Sequence, residues 1–138
     1  MVHACGGWIT ADALTSLSTE ALRACGLSRA KVRSVSAIAA AGKQGVLDGL
    51  GALDDAEVIA RLSGLPGIGR WTAEMFLIFA LRRPDVLPAL DLGLRHAIAK
   101  LDGLPPGAVT PSLAQARGLV WRPWRTAAVI ALWAWRRS

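Results

Sequence analysis

The chain has 138 residues, 53% of them hydrophobic and 19% charged, which supports a buried core and excludes global disorder. No apolar run approaches the roughly 20 residues of a membrane-spanning helix, and the N-terminus lacks the basic start and apolar stretch of a signal peptide. The two cysteines, Cys5 and Cys25, exclude both a disulfide scaffold and a four-cysteine zinc or iron–sulfur site, so the expectation is a soluble cytoplasmic protein.

The periodicity is helical almost throughout, and no segment alternates long enough for a half-buried strand. Thr10 caps a short turn reaching Leu14. Ser18 caps a helix over 19–25 that Gly26 stops. Ser28 starts a longer helix carrying Val32, Val35, Ile38 and Ala39, ended by Gly42. Asp54, with Glu57 three residues on, forms a capping box for a helix over 55–62. A Gly/Pro turn at 64–69 leads into an apolar helix over 70–81 that Arg82-Arg83-Pro84 breaks. Asp91 precedes a helix over 92–101. Thr110-Pro111 caps a helix over 112–117, and Pro123 opens a last helix that is apolar on nearly every face and is expected to be buried. The loops are short. These elements predict one compact all-α bundle, a single domain over 1–138.

The net charge of +6 is unevenly spread. Residues 1–69 hold six basic and six acidic side chains, whereas residues 70–138 hold ten basic and four acidic. Arginine supplies 13 of the 16 cations and matches phosphate in a planar two-pronged geometry. A one-sided basic half points to a polyanionic partner, with simple solubility as the plain alternative.

The most specific local feature is Leu65-Pro66-Gly67-Ile68-Gly69-Arg70-Trp71-Thr72-Ala73. Glycine permits positive φ and a close backbone approach. Amides around Gly67, Gly69 and Arg70 open the next helix and point outward with the positive end of its dipole, a site suited to a phosphate. Thr72 adds a hydroxyl donor. A bare Gly-x-Gly would more often be an ordinary helix–helix turn.

These residues resemble the hairpin of the helix-hairpin-helix (HhH-GPD) DNA glycosylase superfamily. Asp91-Leu-Gly-Leu94 is similar to the loop of that superfamily that ends in an aspartate. The nearest branch is the alkylbase, 3-methyladenine DNA glycosylase II type. The resemblance runs from Trp8-Ile-Thr10 through residues 20–28 to Trp121-Arg-Pro-Trp-Arg125 and beyond. It implies a monofunctional DNA N-glycosylase that excises alkylated purines in base-excision repair. Double-stranded DNA with damaged bases is the implied partner.

Breaking an N-glycosidic bond builds positive charge on the sugar, which a carboxylate stabilises. By motif position Asp91 is the catalytic residue; aspartate is also a common helix N-cap, and both roles hold together. Asp85 and Asp102 read as loop acids. Relatives that cut the backbone carry a lysine where Trp71 stands here. Lysine forms a Schiff base and indole does not, so no lyase step is implied. Trp71, Met75 and Trp133 match base-pocket positions, where an electron-rich indole face stacks on an electron-poor base. Trp121 and Trp124 read as core, and Trp135 as core or rim. Arg70, Arg95, Arg122 and Arg125 serve either phosphate contacts or structural ion pairs. The resemblance further implies a structural sodium or potassium ion on the backbone carbonyls of Ser63, Leu65 and Gly67, and no other cofactor.

Relatives have a segment, including a wedge helix, before the point matching this chain's start. This sequence begins after it, which leaves three readings: a fragment or shortened gene product of a glycosylase, a non-catalytic DNA-binding helix-hairpin-helix module, or a subunit that pairs with a partner chain or itself at the face left open.

Overall fold

The computed structural model describes residues 1–137. Every regular element among them is helical, as the 3.6-residue periodicity predicts. The chain divides into two compact units, Met1–Arg70 and Trp71–Ser138.

The first unit contains α1 (Ala11–Ser16), α2 (Thr19–Ala24), α3 (Arg29–Lys43) and α4 (Asp55–Ser63). The capping chemistry is the one expected. The Thr10, Ser18 and Ser28 side chains accept from Ala13, Ala21 and Lys31 amides, 3.1–3.3 Å away. Asp54 and Glu57 complete the capping box of α4. Gly26 takes a left-handed φ of 85° and turns the chain out of α2, which an L side chain resists. The expected stop at Gly42 is not made: α3 continues to Lys43 and is capped at Gln44. A Cβ on Gly42 would stand 3.4 Å from Ala11 Cβ, at van der Waals contact, where α1 packs on α3. Leu22, Val32, Ala39, Val58 and Leu62 are buried.

Helix α5 (Arg70–Phe79) leads from the first unit into the second. It stops two residues short of the expected Leu81. The Ala80 and Leu81 amides share the Phe76 carbonyl, the Arg83 amide reaches back to Leu77, and Arg82 adopts φ 53°. The left-handed arginine, rather than Pro84, ends the helix.

The second unit is built around α6 (Leu92–Leu101), which packs on α7 (Pro111–Arg117) and α8 (Arg125–Arg137). Leu94, Ala97 and Ile98 are completely buried and join Leu87, Val109, Ala114, Val129 and Leu132 in one core. Each such leucine or isoleucine contributes about 1.5–3 kcal/mol.

Two expectations for the C-terminal end fail. Helix α8 starts at Arg125 and is not sheathed on all sides. Thr126, Val129 and Leu132 are buried, whereas Ala127, Ala131 and Ala134 face solvent. The large apolar side chains Ile130 and Trp135 are also exposed. Trp124, expected in the core, is 65% exposed; Trp121 does pack against the core.

The start of α8 is clamped to the loop between α5 and α6. Asp85 accepts from Arg125 Nε at 2.6 Å and Nη2 at 2.8 Å, and from exposed Arg122 at 3.2 Å. The Thr126 hydroxyl donates to the Arg83 carbonyl and accepts from the Val86 amide. The Arg125 guanidinium holds the Asp85 carboxyl below the ordinary carboxylate range.

Candidate functional site

The hairpin belongs to the first unit. The Ile68 amide donates to the Leu65 carbonyl at 3.1 Å, closing a four-residue turn. Pro66 occupies its second position and Gly67, at φ 76°, its third. That is a type II turn, which requires positive φ at the third position. Gly67 is doubly constrained, since a Cβ there would collide with the Ser34 hydroxyl. Gly69 differs: it carries no positive φ, and a Cβ would meet nothing within 4 Å. Among the described residues no backbone carbonyl accepts from the Gly67 or Gly69 amide. Ile68 is half-buried beneath the turn, and Gly67, Gly69 and Arg70 are exposed. The hairpin therefore presents amides outward over a side that is open in front of Gly69. Thr72 is exposed in the first turn of α5.

In the second unit the structure gathers Asp91, Trp71 and Trp133. Asp91 is the N-cap of α6, and its Oδ1 accepts from the Leu94 amide at 2.6 Å. The Trp133 Nε1–H donates to the same oxygen at 2.8 Å. The Trp71 Nε1–H donates to Oδ2 at 3.0 Å. The Asp91 amide in turn donates to Pro88 at 2.8 Å, so backbone and side chain are both pinned. A carboxylate accepts only, and three donors converge on this one. Asp91 is half-buried, and Trp71 is 45% exposed.

Two residues of this site were missed in the sequence. Phe79 stacks on Trp133 with ring centres 6.1 Å apart and planes 14° from parallel, while remaining 63% exposed. Trp71, Met75 and Phe79 are spaced by four along one flank of α5, and Met75 is half-buried between two exposed aromatics. That spacing was the available signal. Gly93 is the second: a Cβ there would come 3.1 Å from Asp91 Oδ1 and 3.7 Å from Trp133 Cδ1. An added Cβ would crowd the acid's oxygen, which would have to give by a few tenths of an ångström, while the indole would stay at ordinary contact.

The arginines resolve mostly into structure. Arg125 and Arg122 bind Asp85, Arg117 binds Asp102 at 3.0 Å, and Arg95 donates to the Val109 carbonyl. Lys100 stands 4.4 Å from the Trp135 ring centre. Among the described residues no group of His, Cys, Asp and Glu could hold a metal ion, and no helix is long and apolar enough to cross a membrane.

Residues 1–125 match the model of the HhH-GPD superfamily base excision DNA repair protein, and the chain belongs to that superfamily. It is similar to DNA-3-methyladenine glycosylase 1 of Schizosaccharomyces pombe, with 38% identity over 131 residues, 93% of this chain and 57% of that protein. A solved S. pombe 3-methyladenine DNA glycosylase in complex with abasic DNA superposes with a TM-score of 0.88, covering 93% of this chain and 64% of that one. The Bacillus halodurans DNA-3-methyladenine glycosidase is 34% identical, with a TM-score of 0.83 over 98% of this chain and 63% of that one. The chain thus spans less than two thirds of the length of these relatives.

Proposed function

We propose that the chain is a monofunctional DNA N-glycosylase that releases alkylated purines, of the 3-methyladenine kind, from double-stranded DNA in base-excision repair. One observation carries the reading: both oxygens of Asp91 are gripped by indole N–H donors. The activity named for its relatives, 3-methyladenine glycosylase, supports the reading.

The hairpin amides of Gly67, Gly69 and Arg70, with the Thr72 hydroxyl, hold backbone phosphate. The target nucleotide leaves the stack, and its electron-poor base stacks on an indole. The bond from the sugar carbon to the base nitrogen breaks, and its electron pair leaves with the base. A base that carried positive charge departs neutral, which makes it a good leaving group. Asp91 stabilises the cationic sugar that remains. Oδ1 already takes two donors and Oδ2 only one, so Oδ2 keeps the acceptor capacity to face the sugar. Water then adds to the sugar carbon and gives up a proton, leaving an abasic site. With indole in place of an amine at Trp71, no Schiff base forms and the strand stays whole.

The resemblance also implies an alkali cation beside the phosphate. Among the described residues the Ser63 and Gly67 carbonyls take no backbone hydrogen bond outside the helices, and Leu65 takes one, so free oxygen lone pairs suit such an ion. It would supply charge for the phosphate and no chemistry at the sugar. A repair enzyme of this kind works where DNA is kept, which in a cell without a nucleus is the cytoplasm.

Incubation with methylated duplex DNA tests the proposal through the free base released. Wild type releases base and leaves the strand uncut, and Asp91→Asn reduces release by at least about a hundredfold. DNA binding without release in both forms would sink the enzymatic reading.

A further inference from the structure

We propose that a cleft between α2 and α3 in the first unit holds a second phosphodiester group of DNA, separate from the one at the hairpin amides. The inference rests on the DNA-binding reading above.

The cleft has a volume of about 550 Å³ and is lined by Thr19, Arg23, Arg29, Arg33, Ser36 and Pro66. Buried Val32 forms part of its floor. Charge is segregated here. The first 69 residues sum to zero, yet Arg23, Arg29, Lys31 and Arg33 fall within residues 23–33 with no acid among them. Among the described residues no carboxylate forms an ion pair with Arg23, Arg29 or Arg33. Four of the six acids in residues 1–69 have other partners. Asp12 pairs with Lys43, Asp54 and Glu57 cap α4, and Glu20 is held by Ser18 and its own backbone, which lowers its pKa.

The placement is also unfavourable for the protein alone. Arg29 and Lys31 stand in the first turn of α3, which has no acidic residue, where the helix dipole repels cations. Arg29 and Arg33 are four residues apart on one face, where like charges repel. Local rules broken together, without a compensating partner inside the chain, mark a place where an outside anion completes the structure. Guanidinium forks take phosphate oxygens in pairs. The Thr19 and Ser36 hydroxyls can donate alongside, and the apolar floor fits a deoxyribose. DNA is the anion because Pro66 belongs both to this cleft and to the hairpin turn, so the two sites are contiguous within one unit.

The test is binding of an undamaged duplex across a salt series. Each neutralised phosphate contributes a slope of about −0.9 to log affinity against log salt. Full-chain protein with Arg23→Gln, Arg29→Gln and Arg33→Gln together is expected to lose about one phosphate's worth of slope, roughly 0.9. Lys43→Gln, a same-unit cation already paired, is expected to leave the slope nearly unchanged. The three Arg→Lys changes should restore most of it. An unchanged slope in the triple Gln variant overturns the proposal, and so does an equal loss in Lys43→Gln. If wild type binds no duplex at all, the DNA-binding reading itself fails and takes this one with it.

Discussion

Asp91 shows how one residue satisfies two demands. It caps α6 through Oδ1, as aspartate does at many helix starts, and it binds two indoles. Both the cap and the acid were legible in the local sequence. The indole clasp was not, because Trp133 lies 42 residues from Asp91 and periodicity does not report which way a ring nitrogen points. Gly93 was silent for the same reason, since its demand comes from Asp91 and Trp133 approaching it in space. Gly93→Ala offers a sharp prediction. Alanine is the better helix former by about 1 kcal/mol, so the melting temperature should hold or rise. The added methyl crowds Oδ1 at 3.1 Å, and base release should fall roughly tenfold, because misplacement well under 1 Å already costs catalysis. Release equal to wild type would show that the carboxylate tolerates displacement.

Among the elements, the hairpin was the most readable, because its turn chemistry is local. Proline and glycine at successive positions define the turn, and the open side of Gly69 leaves room for an incoming chain. Gly69→Asp puts a charge there. Affinity for DNA of any sequence should drop by about 2 kcal/mol, roughly thirtyfold in Kd, as a titration at matched salt would show. Helix α8 was read less well. Its apolar composition made it look buried, although Ile130 and Trp135 face solvent, and the clamp at its start links residues 40 apart. That clamp has a pH signature. The Asp85 pKa is lowered in the folded chain, so its contribution is complete above the unfolded carboxylate value of about 3.9. It is lost as the pH falls from there through the folded value. Asp85→Asn should cost about 2 kcal/mol at neutral pH, and its melting temperature should fall less than that of wild type on acidification below about pH 4. Parallel acid profiles would contradict the assignment.

For the molecule as a whole, helical content, chain order and the excess of cations were legible, whereas which cations stand beside an acid was not. The C-terminal half holds the excess of cations, but Arg95, Arg117, Arg122 and Arg125 are committed to internal partners. In the neutral half Arg23, Arg29 and Arg33 stand without a carboxylate partner among the described residues. Attraction for a polyanion depends on which charges remain uncancelled at the surface, a property of the fold that composition does not contain. The salt series on the arginine cleft tests this at the scale where it belongs.

The usual inactivating change at a catalytic acid swaps oxygen for an amide nitrogen and is taken to preserve shape. Here each side of the carboxyl already meets a hydrogen pointing toward it. Whichever side receives the new NH2 sets hydrogen against hydrogen, and the facing ring or amide must turn away. An asparagine in this place would therefore slacken the aromatic wall as well as erase a charge, and the two losses would arrive as one.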